Sequence, residues 1–316
     1  MISIVIPTYD REKLIIETLD SISNQSYKNW ECIIVDDGST DNSLQSIREY
    51  TKNDSRFTVY ERPQSVKKGA SACRNFGFEQ AKGTHIQFFD SDDIMHPEHL
   101  NSKITAIDDA DFVVCKLREF EKEFDAKLFS ERHSDAHLTY EANVFDAFVT
   151  GRFPMMMVAP MWKKESLAPY MPIREDLTIL EDHELFARAL FDAKKYKVVD
   201  KTLIFCRIAL TSLTNSFYGN LSKGIDSYFE AKKTVLRLSN TPEIKLAILK
   251  MTLGFFRLGL AQKNYREAEK CLDFIKMEKL CYSSELKRKV RRIHLFYLVF
   301  KFVGRGDTKY KSLLKL

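Results

Sequence analysis

Absences narrow this chain before any motif does. No stretch reaches the roughly 18 unbroken apolar residues of a membrane span, so none is expected. Met1 leads directly into "ISIVIPTY", with no basic leader and no small-residue cleavage site, which sets the expectation of a cytoplasmic protein. Cys32, Cys73, Cys115, Cys206, Cys271 and Cys281 are scattered without CxxC spacing, which argues against a zinc site or a disulfide framework. They read as reduced core residues. No GxGxxG follows the first apolar segment and there is no GxxxxGK[ST], so neither the usual dinucleotide fold nor a P-loop is expected. What the chain has is apolar mass. At 316 residues and 44% hydrophobic content it can form one large domain with an attachment, or two domains.

The first third alternates apolar strands with helical periodicity. "ISIVIPTY", "WECIIVDD", "FTVYER" and "THIQFFDSDD" read as strands; "REKLIIETLDSISNQ", "GSTDNSLQSIREY" and "GASACRNFGFEQAKG" read as helices between them. That order implies a mostly parallel sheet covered on both faces, with ligands at the carboxyl ends of its strands. The middle holds further strands in "DFVVCKLREF", "MMMVAPMWKKESL" and "YKVVDKTLIFCRI", and a helix from "ILEDHELFARALF". From about residue 219 the pattern is helical, with a hairpin turning at Asn264. The expected division is 1–218, made of a 1–110 half and a 111–218 half, followed by 219–316.

Three strand ends are polar in the same manner: Pro7-Thr8-Tyr9-Asp10, Asp36-Asp37-Gly38-Ser39 and Asp90-Ser91-Asp92-Asp93. Any one of them reads as an ordinary turn, since Asp, Ser and Gly are what turns use. Three in register point to a site. Carboxylates so close repel one another unless a positive charge lies among them, and Mg²⁺ or Mn²⁺ suits carboxylate and phosphate oxygens.

On these residues the chain resembles the family 2 glycosyltransferases of GT-A fold. The resemblance is carried in order by "SIVIPTYDREKLIIETLDSISNQSYKNWECIIVDDGSTDNS", "GASACRNFGFEQAKGTHIQFFDSDD" and "LEDHELFARAL", and covers about residues 1 to 215. It implies an α/β, Rossmann-like nucleotide-sugar-binding sheet with an α-helical C-terminal extension. It further implies an inverting hexosyltransferase that uses Mn²⁺ or Mg²⁺, a UDP-sugar donor, and a glycan or lipid-linked acceptor of bacterial cell-surface polysaccharide assembly. Carried over residue by residue, Pro7, Thr8 and Tyr9 would line the base and ribose, and Asp37 would meet a uracil-type imide. Arg74 would lie by the nucleotide or its phosphates. Asp93 would be the direct metal ligand, with Asp92 beside it and closer to the ribose, and Asp182 would be the catalytic base. As a residue of a helix start, Asp182 reads equally well as a cap. His183 is expected to face solvent or a cap.

One departure stands out. Relatives with an R-x-H-x-x-S segment have a His where this chain has Ala209, which leaves Arg207 and Ser212 as possible phosphate contacts. That gap is the best support for a different class of protein, a catalytically degenerate nucleotide-binding membrane scaffold. A phosphatase of the haloacid-dehalogenase type is disfavoured because "DSDDI" lacks its Thr, and a processive synthase because QxxRW is absent. The acceptor-side segment 140–175 includes Met155, Met156 and Met157, which suit either core filler or an adaptable wall.

The net charge of +5 belongs to the tail. From Glu285 onward ten Lys or Arg face only Glu285 and Asp307, so the remainder of the chain is net acidic. Lys287 to Arg292 runs into the aromatic "IHLFYLVFKFV". This composition predicts a helix over 285–303 lying on the anionic inner face of the membrane, with Phe296, Tyr297, Phe300 and Phe302 dipping in. The other reading is packing on the protein itself. Nucleic acid is not expected, because the aromatics are clustered and not interleaved with the charges.

Overall fold

The computed structural model describes residues 1–121, 123–130, 138–208 and 213–303; of Leu213, Thr214, Phe300, Phe302 and Val303 only the backbone is described. The chain divides into one compact unit of Met1–Asp176 with Glu181–Ala209, and a second of Leu177–Leu180 with Leu210–Leu316.

The first unit begins with β1 (Ile2–Thr8), α1 (Ile15–Ser23), β2 (Trp30–Asp36), α2 (Ser43–Thr51), β3 (Phe57–Glu61), α3 (Ala70–Gln80) and β4 (His85–Phe88). It continues with β5 (Ile94–Met95), α4 (His99–Ile107), β6 (Phe112–Phe120), α5 (Val144–Val149), β7 (Pro160–Lys163), α6 (Lys164–Leu167), α7 (Glu181–Phe191) and β8 (Tyr196–Arg207). Every residue of β1 is buried, as expected of a strand covered on both faces. The described strands form one sheet in the order β3-β2-β1-β4-β7-β6-β8-β5. Pairing is parallel from β3 to β4 and between β6 and β8. It is antiparallel where β7 joins β4 to β6 and where β5 meets β8, so the sheet is mixed.

Register decides what meets at the edge. Thr8 lies opposite Asp36, and Asp36 opposite Glu61. The Asp37 amide donates to Thr8 O, the Arg62 amide to Asp36 O, and the Phe89 amide to Val5 O. The chain therefore leaves β1, β2, β3 and β4 on one side. The core behind that edge is aliphatic and aromatic: Ile4, Ile6, Leu19, Ile34, Phe89 and Leu100 are fully buried.

The second unit contains α8 (Leu213–Gly219), α9 (Ile225–Leu238), α10 (Pro242–Ala261), α11 (Tyr265–Met277) and α12 (Ser284–Val303). Thr241 caps α10 at the Ile244 amide, with Pro242 pre-set for the first turn, and Asn264 caps α11 at the Glu267 amide. Gly259 lets α10 and α11 close on each other, since a Cβ there would lie 3.2 Å from that of Ala268. No helix among the described residues is long and apolar enough to cross a membrane.

Helix α12 corrects one expectation. Leu286, Ile293 and Tyr297 recur on one face and are buried, Tyr297 being only 1% exposed. Its ring meets Phe256 edge-on at 5.6 Å and its hydroxyl donates to Glu269 at 2.8 Å, so Tyr297 packs within the helical unit and does not dip outward. The outer surface is different: Lys287, Arg288, Arg291 and Arg292 are exposed, and so are Leu295 (63%), Phe296, Leu298 and Val299. The side chains of Phe300 and Phe302, and the basic residues from Arg305 on, lie outside the described residues. Of the six cysteines, all are free; five are buried and Cys281 is half-buried.

Candidate active site

The loops after β1 and β2 hold each other. The Asp10 amide donates to Ser39 Oγ (3.0 Å), Thr40 N to Asp10 Oδ1 (2.7 Å), Arg11 N to Ser43 Oγ (2.6 Å) and Glu12 N to Asp41 Oδ2 (3.1 Å). Gly38 has a φ of 82°, the left-handed region that favours glycine, and Asp36 Oδ2 accepts from the amides of Gly38 and Ser39. Asp36 is thus a turn former. Asp37, by contrast, keeps a buried carboxylate paired with Arg62 Nε at 2.5 Å. Arg62 was not singled out from the sequence; its only signal is its place one step past β3, beside a strand whose end carries Asp37. Thr8 is buried and its hydroxyl has no partner, while Tyr9 is exposed with Lys68 Nζ 3.7 Å over its ring.

Beyond β4 each carboxylate meets a different arginine. Asp90 Oδ1 is 2.7 Å from Arg74 Nη2, and Asp92 Oδ2 is 3.4 Å from Arg11 Nε. Asp93 Oδ1 accepts from the Arg207 amide at 3.0 Å. Arg207 also donates through Nε to Asp92 O, pairs with Glu17, and lies 4.6 Å over the Phe120 ring. Burial, then Asp90 and Asp92, pushes the Asp93 carboxyl well above its usual range; burial and Asp90 raise Asp92, with Arg11 and Arg207 opposing. The arginines therefore offset the negative charge only in part. Ser212 and Ala209 lie outside the described residues.

Among the described residues no three His, Cys, Asp or Glu are grouped to hold a metal on their own. The Asp92–Asp93 pair nevertheless suits a hard divalent cation, which commonly takes one or two protein carboxylates and completes its shell with substrate phosphates. A carboxylate pair whose proton affinity is raised first by burial and then by the neighbouring Asp90 fits such a group.

Asp182 stands in the first turn of α7, just after Leu180, whose φ of 60° is unusual for a non-glycine residue. It is half-buried, and its Oδ1 accepts from the His183 amide at 2.6 Å. Burial, then the neighbouring Glu181 carboxylate, pushes its carboxyl up to about 7, against the pull of Arg74. His183 is not simply solvent-facing: its ring stacks on Phe148 at 4.8 Å. The methionines divide, Met155 and Met157 entering the core and Met156 staying 43% exposed.

The model of Glycosyl transferase family 2 matches residues 3–162. The chain belongs to this family. Within it, the chain is similar to EpsH of Bacillus subtilis, assigned as a glycosyltransferase, with 31% identity over 251 residues that cover 77% of this chain and 71% of EpsH. Further proteins named as glycosyltransferases match over shorter stretches, and the chain spans only 14% to 41% of their lengths. Among solved structures it is similar to Staphylococcus aureus TarS 1-349 in complex with UDP-GlcNAc, with a TM-score of 0.56 and 18% identity over 85% of this chain and 88% of that one. It is also similar to the mannosyltransferase PcManGT of Pyrobaculum calidifontis in complex with GDP-Man and Mn²⁺, with a TM-score of 0.57 and 15% identity over 99% and 83%. The fold is therefore the GT-A fold of family 2. Its strand ends carry Thr8, Asp37 and the Asp90–Asp93 loop.

Proposed function

We propose that this family 2 enzyme is an inverting, metal-dependent hexosyltransferase acting on a nucleotide diphosphate sugar, a UDP-sugar by preference. The acceptor is a hydroxyl of a glycan or lipid-linked intermediate in the assembly of a bacterial cell-surface polysaccharide. The observation that carries this reading is Asp182: a carboxylate pushed up to about 7, next in the chain to a Glu181 tied through Arg74 to the acidic loop. Pro7, Thr8, Tyr9 and Asp37 receive the base and ribose, and the unpartnered Thr8 hydroxyl supports a ligand there. Asp93, with Asp92, would hold Mn²⁺ or Mg²⁺, which when bound supplies Lewis-acid stabilisation to the diphosphate leaving group. Asp182 takes the proton of the attacking hydroxyl, and a single displacement inverts the anomeric centre. The nucleotide sugars in the TarS and PcManGT complexes, and the Mn²⁺ of the latter, favour the donor class and the metal.

The outer surface of α12 deepens the reading. Four exposed cations beside four exposed apolar side chains suit the anionic inner face of a membrane, where a lipid-linked acceptor would be found. Truncation after Ser284 should abolish co-sedimentation with anionic liposomes at low salt. Retention by the truncated form, or no binding by the full chain, removes the membrane from the proposal.

A screen of UDP- and GDP-sugars for hydrolysis tests the activity. The expected result is turnover of a UDP-sugar that EDTA abolishes and Mn²⁺ restores. No turnover and no thermal stabilisation with any donor would return the chain to the degenerate scaffold.

A further inference from the structure

Two consecutive residues of α3 bond to the segments 173–175 and 181, the latter next in the chain to Asp182. Arg74 is 5% exposed and divides its terminal nitrogens between Asp90 Oδ1 (2.7 Å) and Glu181 Oε1 (3.3 Å), while its Nε is buried without a partner. Asn75 is 7% exposed; its Nδ2 donates to Ile173 O and Glu175 Oε1, both at 2.9 Å, and its Oδ1 accepts from Ile173 N at 2.7 Å. One turn of α3 thus grips the chain at 173–175 and again at 181, on either side of the strained Leu180.

We propose that Arg74 and Asn75 form a clamp that positions the first turn of α7, and hence Asp182, against the acidic loop. This rests on Asp182 being the base. In place of the nucleotide contact that resemblance implies for Arg74, both of its terminal nitrogens serve carboxylates of the protein. Misplacing a catalytic group by about 1 Å can cost about 10²-fold in rate while leaving substrate binding intact.

The test uses Arg74→Lys, Asn75→Ala and the gentler Glu181→Gln, with three readouts in each: the UDP Kd in Mn²⁺, kcat for donor turnover, and amide hydrogen exchange over 173–186. The clamp requires kcat to fall about 10- to 100-fold, the Kd to stay within about 3-fold, and exchange to rise in 173–186 in all three variants. Arg74→Lys combined with Glu181→Gln should lose less than the two separate losses combined, because both break one bond. Unchanged exchange overturns the clamp. So does a Kd that rises as much as kcat falls, which would make Arg74 a phosphate ligand. If the wild type neither binds nor turns over any nucleotide sugar, the proposed function fails instead, and the exchange measurement still decides the clamp.

Discussion

Residues 90–93 and residues 99–103 are close neighbours in the chain, and both place ionisable groups in buried surroundings, yet they resolve the cost in opposite ways. The acidic loop is met by arginines from other elements: Arg74, Arg11 and the backbone of Arg207. His99 and Lys103 are fully buried, and among the described residues neither bonds to a carboxylate. Lys103 Nζ donates to Ala159 O (2.7 Å) and Gln87 Oε1 (2.9 Å), and His99 sets its ring nitrogens against Leu203 O (3.1 Å) and the same Gln87 oxygen (3.0 Å). Gln87 is held in that orientation because its Nε2 donates to Phe88 O and Val158 O. Neutral dipoles complete the basic pair, and it joins β4, α4, β7 and β8 as scaffold. Charged partners only partly complete the acidic loop, which leaves it ready for a ligand.

The sharpest way to break this comparison is at the base. Asp182→Asn keeps the shape and removes the proton acceptor, so donor turnover should fall about 10²- to 10⁴-fold at unchanged UDP affinity. A variant with more than half the wild-type rate makes Asp182 a helix cap. Next, Asp93→Ala should eliminate the Mn²⁺-dependent part of UDP binding in titration calorimetry while the thermal transition remains cooperative. Binding equal to wild type would remove the metal from Asp93.

The pH profile should expose the same asymmetry. Because the Asp182 carboxyl is raised to about 7 and a base works deprotonated, kcat should fall on the acid side of neutrality, with its half-point near that value. A profile flat from pH 5 to 8 would contradict a titrating base.

Lys103 should act on stability alone. Burial lowers it from 10.5 to about 8. Between those values the unfolded chain still holds a proton that the folded chain has released, so the Lys103 contribution to stability rises with pH from about 8 to 10.5. Buried thiols and tyrosines titrate in the opposite sense, so the measurement is the difference between wild type and Lys103→Met in urea unfolding. That difference should change by on the order of 1–3 kcal/mol across the window, with UDP affinity unaltered. A pH-independent difference would mean that burial does not lower Lys103, which would then keep its proton in the fold across the whole window.

The strand ends and the helix start that frame the candidate site were legible because their signals are local. An apolar run ending in Asp-Asp-Gly-Ser or Asp-Ser-Asp-Asp marks a strand end, and "LEDHELFARALF" marks a helix start, through periods and turn residues only a few positions long. The partners of those carboxylates were not legible. Arg74 is separated from Glu181 by 107 positions, and Arg207 from Asp93 by 114. Which arginine meets which acid follows from strand order, including β7 entering antiparallel beside β4, and no local period records strand order.

The tail makes the same division. Its sequence alone determined a basic, aromatic helix, because composition and a 3.6-residue period are properties of the chain. It held two apolar stripes, one through Leu286, Ile293 and Tyr297 and one through Leu295, Phe296, Leu298 and Val299, with nothing local to choose between them. Only the tertiary structure decided that the first is buried, because a face is buried only where a complementary surface waits, and here that surface holds Phe256 and Glu269.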